Sequence, residues 1–187
     1  MLIGFAYTGS FCTISKSIEI MQELINQGVE VLPIMSENSY SIDTRFGKAE
    51  AIRNKISKLC GRDVIHNIVD AEPLGPKIIL DALIISPCTG NTLAKIANGI
   101  TDTSVCMAAK AHLRNNRPLI IALATNDALS GNLSNIATLL SRKNVYFTPM
   151  IQDDPKNKPH SLVANFELIE NTLKCALEGK AMNKIFI

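Results

Sequence analysis

A chain of 187 residues with 47% hydrophobic content can bury a substantial core but is too short for two ordinary domains, so we predict one domain over 1–187. Its 19 basic and 17 acidic residues give a net charge of +2 without long runs, which argues against nucleic acid and anionic membranes as partners. No apolar run reaches the roughly 18 to 20 residues of a membrane span, and no basic leader precedes the first predicted strand, so a cytoplasmic protein is expected.

Apolar strands alternate with amphipathic helices along the chain. Strands are predicted at 2–7, 29–35, 81–86, 118–124 and 145–149, with a short one at 64–65. The clearest helices run from about Ser15 to Gly28, over 45–60, and from a cap at Ser161 to Gly179. This alternation predicts a single-domain α/β fold, a doubly wound parallel sheet in three αβα layers of the flavodoxin-like or Rossmann-like kind.

Two stretches between these elements are predicted to be irregular. Residues 71–77 contain two prolines and a glycine and are predicted to form a loop. Residues 152–159 are rich in Asp, Asn, Lys and Pro. Their composition favours a solvated connector, with a mobile flap over a ligand as the alternative.

Two strand-to-helix turns carry glycine and hydroxyl side chains. One is Thr8-Gly9-Ser10 after the first strand, and the other runs from Pro87 to Thr92 after the third. The carboxyl ends of parallel strands open onto helix N-termini, whose free N–H groups attract phosphate. Each turn alone is explained equally well by a plain connection that needs glycine and a capping hydroxyl. Together they predict one phosphate-bearing ligand held between them.

The common nucleotide motifs do not occur in this chain. Gly4 and Gly9 do not form Gly-x-Gly-x-x-Gly, the Gly-x-x-x-x-Gly-Lys-[Ser/Thr] motif is missing, and no acidic residue closes the second strand. This argues against an ordinary NAD or ATP fold. FMN, which has one phosphate and a ring that needs apolar walls with a few polar donors, fits the pattern better.

These residues also resemble a known family. The turn at Thr8, the hydroxyl residue Ser36 after the second strand, and the stretch from Pro87 to Asp102 are similar to the flavoprotein family. That family includes flavin-containing cysteine decarboxylases and prenyl-flavin-forming enzymes, and the stretch follows its pattern Pro-x-[Ser/Thr]-x-Asn-Thr-x-x-Lys-x-Ala-x-Gly-x-x-Asp. The resemblance implies FMN as cofactor and a homo-oligomer. It assigns cofactor binding to Thr8, Gly9, Ser10, Ser36, Pro87, Thr89, Gly90, Asn91, Thr92 and Met107.

The sequence departs from the decarboxylases and the prenyl-flavin-forming enzymes at three places. The position of the decarboxylases' catalytic histidine falls near Pro73, with His66 several residues too early. Of the family's Pro-Ala-Met-Asn motif only Asn126 remains, as a candidate ligand for a substrate carboxylate. Met107 stands where the prenyl-flavin-forming enzymes have an arginine. A stand-alone decarboxylase or prenyltransferase is therefore disfavoured.

Stretches outside the flavin motif resemble a subgroup of the family that serves dipicolinate (pyridine-2,6-dicarboxylate) synthesis during endospore formation, in the mother cell. They are 44–47, 71–77, 114–118, 125–129 and 152–155. The resemblance implies an oxidoreductase subunit that oxidises dihydrodipicolinate, or its hydroxy-tetrahydro precursor, together with a nicotinamide-binding (NADP) A-type subunit. The alternative is a non-redox structural or binding subunit. Arg45 and Lys77 are weaker candidate ligands for the small dicarboxylate, since for both a solvated surface charge is the favoured interpretation.

Cysteine and histidine add little to this prediction. The five cysteines are widely spaced and show no metal-ligand spacing, so we expect reduced thiols and no metal. Cys88 lies at a predicted helix start, where its thiol pKa would be lowered, although a catalytic cysteine is disfavoured. His112 is predicted at the surface. For Asp127 a helix cap is favoured over a catalytic base, and the catalytic acid and base are not assigned.

Overall fold

A seven-stranded sheet with helices on both faces forms the centre of the molecule, and the computed structural model describes residues 1–187. The strands are β1 (Leu2–Tyr7), β2 (Glu30–Met35), β3 (Ala82–Cys88), β4 (Leu119–Thr125), β5 (Val145–Phe147), β6 (Met150–Ile151) and β7 (Leu162–Ala164). The helices are α1 (Ile14–Asn26), α2 (Glu37–Ser41), α3 (Ala49–Cys60), α4 (Ile68–Ala71), α5 (Gly90–Ala97), α6 (Ser104–Leu113), α7 (Leu133–Leu140) and α8 (Ile169–Leu177). No helix combines the length and the apolar character needed to cross a membrane.

The strand order is β2-β1-β3-β4-β7-β6, and β5 also pairs with β4. Strands β1 to β5 are parallel, as predicted. The predicted three-layer α/β fold is confirmed, but the sheet is mixed because β7 runs antiparallel to β4 and β6 antiparallel to β7. β5 pairs with the first half of β4 and β7 with its last two residues, Ala124 and Thr125. The hairpin β6–β7 therefore lies at the carboxyl end of the sheet.

Two clusters of buried residues cover the two faces of the sheet. Successive residues of β4 alternate between them, with Leu119, Ile121 and Leu123 in one and Ile120, Ala122 and Ala124 in the other. This alternation is the pleat of a strand that is covered on both sides. Helix α1 closes one face through Ile18, Met21 and Leu24, and ends before Gly28, whose φ of +85° is typical of a helix C-terminus.

The boundaries differ from the predictions mainly near the two ends of the sheet. The predicted last strand, 145–149, is divided into β5 and β6, and Ser161 does not cap a helix because the next residues form β7. Helix α3 begins at Ala49 because 44–47 form a tight turn in which Thr44 and Gly47 bond each other's backbone. The short strand predicted at 64–65 does not form, and only a single bridge between Ile34 and Ile65 is present there.

Candidate functional site

The turns after β1 and β3 meet at the side chain of Thr8, which is 1% exposed. Its Oγ1 donates a hydrogen bond to the Pro87 carbonyl oxygen at 2.7 Å and accepts one from the Thr89 N–H at 2.9 Å. The Thr8 N–H also donates to the Pro87 carbonyl, at 3.2 Å. One buried hydroxyl thus joins both turns, so that Gly9 and Thr89 lie side by side at the carboxyl end of the sheet.

Helix α5 begins at this junction. The Thr89 Oγ1 accepts a hydrogen bond from the Thr92 N–H at 3.2 Å and so caps the helix. The N–H groups of Gly90 and Asn91, in the first turn, have no intrahelical partner, as at every helix start. Free N–H groups and the positive end of the helix dipole favour an anion at this position.

Gly90 is buried against three polar side chains from the end of β4 and the loop that follows it. A Cβ at this position would lie 2.5 Å from Asn132 Nδ2, 2.6 Å from Thr125 Oγ1 and 2.8 Å from Asp127 Oδ1. The three side chains are also bonded to each other, because Thr125 donates to Asp127 at 2.5 Å and Asn132 donates to it at 2.8 Å. Only glycine lets α5 begin so close to this cluster.

The role of Asp127 differs from the one favoured by the sequence. The hydrogen bond from Thr125, which has the largest effect, and the one from Asn132 hold the pKa of Asp127 below its ordinary value, against the opposing effect of burial. The N-cap of α7 is Asn132, not Asp127. Asp127 instead braces the loop between β4 and α7, where its backbone carbonyl also accepts from the N–H groups of Ser130 and Asn132.

A cavity of about 610 Å³ opens beside the two turns. Residues 9–13 form one wall, residues 89–91 and 124–126 form the floor, and Arg45 and Phe46 lie at one side. The remaining wall comes from the β6–β7 hairpin, through Asp153, Lys158, Ser161 and Val163. The volume is in the range of small-molecule sites, roughly 300 to 1,000 Å³.

A second cavity of about 410 Å³ adjoins the first, and the two share Gly9, Phe11, Thr89 and Asn91. Its other lining residues are Ser36, Glu37, Asn38, Ile42, Thr92, Lys95, Asp102 and Thr103. Lys95 pairs with Asp102 at 2.8 Å, and the hydrogen bond to Asp102 is the main reason that the pKa of Lys95 is raised. The helix start at Gly90 and Asn91 lies at the boundary of the two cavities, so one elongated ligand can extend into both.

Most of the predicted cofactor residues come together here. Gly9, Ser10, Thr89, Gly90 and Asn91 line the larger cavity together with Asn126, while Ser36 and Thr92 line the smaller one. Thr8 and Pro87 lie behind the cavities and shape the turns through their hydrogen bonds.

Two predicted residues lie elsewhere. Met107 is on α6, packs against the core and lines a separate surface hollow beside Glu72 and Lys110, so the structure does not bring it to either cavity. Lys77 is exposed in the loop before β3 and lines neither cavity. Arg45, the other weaker candidate, does line the larger one.

The hairpin loop between β6 and β7 supplies lining residues that the sequence analysis missed. Composition indicated a solvated connector at 152–159, whereas Asp153, Lys158 and the adjoining Ser161 line the larger cavity. The antiparallel pairing of β7 with the end of β4 brings them there. In the sequence, this role was indicated by the resemblance of 152–155 to the subgroup and by the alternative interpretation of 152–159 as a flap.

Two expectations about titratable groups are wrong. Cys88 is fully buried, and burial raises the pKa of its thiol instead of lowering it. His112 is 2% exposed, with Nε2 at 2.9 Å from the Pro118 carbonyl oxygen. Since that oxygen only accepts, Nε2 carries the proton and donates. Burial lowers the pKa of His112, so the ring is a neutral structural group and not a surface residue.

The fold and the site define a doubly wound α/β protein with two polar turns around an open cavity, and the Flavoprotein family description matches residues 1–173. The chain therefore belongs to the Flavoprotein family, as the resemblance in the sequence predicted.

Within this family the chain is similar to the B subunit of dipicolinate synthase from Bacillus subtilis, with 46% identity over 99% of the chain and 92% of the relative. The crystal structure of the B subunit of dipicolinate synthase from Bacillus halodurans has a TM-score of 0.91 and 41% identity, covering 100% of this chain and 95% of that one. The structure of AnUbiX (PadA1) in complex with FMN and dimethylallyl pyrophosphate has a TM-score of 0.61 and 22% identity, covering 79% and 77%. The last likeness is one of fold alone.

Proposed function

We propose that this chain binds FMN across the two cavities and acts as the B-type subunit of a dipicolinate synthase. In this function it contributes the flavin site to the oxidation of dihydrodipicolinate, or of its hydroxy-tetrahydro precursor, to dipicolinate. A nicotinamide-binding A-type subunit, using NADP, is its partner, and the chain forms a homo-oligomer in the cytoplasm of the mother cell of a sporulating bacterium. The similarity over 99% of the chain to a protein of that name supports the proposal.

The observation that carries the flavin part is the junction at Thr8, which holds two polar turns and a helix start around one open space. The donor set suits FMN. The backbone N–H groups of Gly90 and Asn91, together with the side-chain amide of Asn91, suit a phosphate, and the hydroxyls of Ser10 and Ser36 suit a polyol chain. Apolar wall for a ring comes from Phe11 and Val163 of the larger cavity.

The reaction removes two hydrogens from a ring that carries two carboxylates, and the hydroxy-tetrahydro precursor loses one water in addition. When bound, FMN supplies a hydride acceptor for this oxidation. The chain's own task is to bind and orient the dicarboxylate. The exposed Asn126, just after β4, offers an amide donor, and Arg45 offers a guanidinium that has no carboxylate partner in the protein. Arg45 stacks on Phe46 at 4.8 Å, which leaves the edge of the guanidinium available for a bidentate contact.

The test is a titration of the purified protein with FMN, followed by visible absorbance, on the wild type, Asn91→Ala and the control Asn98→Ala. Asn98 lies at the other end of α5 and lines neither cavity. We expect saturable binding that Asn91→Ala weakens about tenfold, as for the loss of one hydrogen bond to a charged group, and that Asn98→Ala leaves unchanged.

No binding at tens of micromolar FMN, roughly 6 kcal/mol, would refute the flavin site and favour the non-redox subunit in its place. Equal weakening by both substitutions would refute the position of the phosphate at the start of α5. With FMN bound, the next measurement is dihydrodipicolinate oxidation with and without the A-type partner.

A further inference from the structure

The loop between β6 and β7, residues 152–161, is held in place by its own hydrogen bonds. The Gln152 amide donates to the Pro159 carbonyl at 2.7 Å, and the Lys158 N–H donates to the Asp154 carbonyl at 2.7 Å. The His160 carbonyl accepts from the Leu129 N–H at 2.9 Å, which ties this loop to the loop after β4. The wall that the hairpin adds to the larger cavity is thus a built part of the fold.

Lys158 and Asp153 bring opposite charges to this wall. Lys158 Nζ lies 3.1 Å from Asp153 Oδ2, and Ser161 Oγ donates to Asp153 Oδ1 at 2.8 Å. Burial acts to raise the pKa of Asp153, but the hydrogen bonds from Ser161 and Lys158 outweigh it, so its pKa lies below the ordinary value. The lysine side chain is 53% exposed and the aspartate 30%, and ion pairs this exposed are weak.

The charges around the larger cavity are therefore two cations, Arg45 and Lys158, and one anion, Asp153. An ammonium group has three N–H donors, and Lys158 uses one of them, on Asp153. A ligand with one carboxylate needs one cation, and Arg45, which has no carboxylate partner, can supply it without breaking the Lys158–Asp153 pair. A second carboxylate has one remaining cation available in this cavity, which is Lys158.

We propose that Lys158 is the residue that selects dicarboxylates in this cavity, by exchanging Asp153 for the second carboxylate of the ligand. Asp153 holds the ammonium at the wall and competes with the incoming carboxylate for it. This assignment rests on the proposed function, because it specifies the substrate class of that same site. The loop 152–161 would then take part in binding the ligand, through Lys158.

The experiment measures binding of dipicolinate and of picolinate, which lacks the second carboxylate, to the FMN-saturated protein by isothermal titration calorimetry. Lys158→Gln is expected to weaken the binding of dipicolinate about tenfold and that of picolinate less than twofold, since only the dicarboxylate contacts the ammonium. Asp153→Asn keeps an acceptor for the Ser161 hydroxyl but removes the carboxylate charge that competes for Lys158. It is therefore expected to strengthen the binding of dipicolinate about threefold. Lys156→Gln removes a charge from the same loop at a residue outside the cavity lining and is expected to change neither affinity.

The proposal is overturned if Lys158→Gln weakens the binding of both ligands equally, or if Lys156→Gln changes the affinities as much as Lys158→Gln does. It is also overturned if Asp153→Asn weakens the binding of dipicolinate as Lys158→Gln does. The FMN titration reports on the cofactor separately. Bound FMN with a dipicolinate-to-picolinate ratio that Lys158→Gln leaves unchanged refutes this inference and leaves the proposed function standing. If FMN does not bind, the same calorimetry on the flavin-free protein tests Lys158 by the same ratio, and the flavin proposal alone fails.

Discussion

Replacement of Gly90 by alanine tests the close packing at the start of α5. The new Cβ would lie within 2.8 Å of Asn132, Thr125 and Asp127, closer than Cβ atoms approach other heavy atoms. These side chains are short and hydrogen-bonded to each other, and Asn132 is buried, so they move only by breaking bonds to a carboxylate. Overpacking of this kind costs typically 1 to 3 kcal/mol, and we expect Gly90→Ala to lower the free energy of unfolding by about 2 kcal/mol.

Without this contact the opposite sign is expected, because alanine in place of glycine stabilises a helix by up to about 1 kcal/mol. The assay is urea unfolding followed by circular dichroism, with Gly131→Ala as the control. Gly131 lies in the loop between β4 and α7 that carries Asp127, and its Cβ would meet only Asp127 Oδ2, at 3.8 Å. A Gly90→Ala protein as stable as the wild type or more so, or one no less stable than Gly131→Ala, would refute the packing argument.

Two further predictions concern buried polar groups. Thr8→Val removes the acceptor of the Thr89 N–H and is expected to lower the free energy of unfolding by about 2 kcal/mol. Thr8→Ser keeps the hydroxyl and is expected to lower it by less than about 1 kcal/mol. Equal losses in urea unfolding would contradict the role of the hydroxyl. Burial lowers the pKa of His112 in the folded protein, so the unfolded chain takes up a proton at a higher pH than the folded one. The folded state therefore has its full stability above about pH 6.5 and loses stability as the pH falls below that value. The stability of the wild type should therefore fall more steeply between about pH 7 and pH 5 than that of His112→Gln, by up to about 1.4 kcal/mol per pH unit, and parallel curves would show that the ring is not held neutral.

The main elements of the fold were predictable because their signals are local. Apolar runs on β1, β3 and β4 indicate strands covered on both sides, and helical spacing with a glycine stop defines α1. The hairpin β6–β7 was missed because its strands have two and three residues and are held by pairing with the end of β4. Such short strands carry no periodicity of their own.

In the candidate site, too, residues with a local sequence signal were predicted correctly and others were not. The residues from Thr89 to Thr92 were predicted to bind a ligand because glycine, hydroxyl and amide side chains follow a strand there, whereas Ser36 was assigned through the family resemblance. Both line the cavities. Met107 was assigned only through its place in a family pattern, and its position on α6 puts it against the core. His112 was expected at the surface because it precedes a basic stretch, but α6 turns it inward.

The sequence by itself determined the parallel α/β arrangement and the meeting of the turns after β1 and β3. Strand ends and helix starts depend on residues that are close together in the chain, so local patterns predict them. Only the tertiary structure decided which charged and amide side chains line the larger cavity. Arg45, Asn126 and Lys158 are separated by tens of residues and come from three different loops, and the distances between such groups depend on strand pairing and loop packing. The strength of an electrostatic interaction depends on those distances, and no local pattern in the chain specifies them.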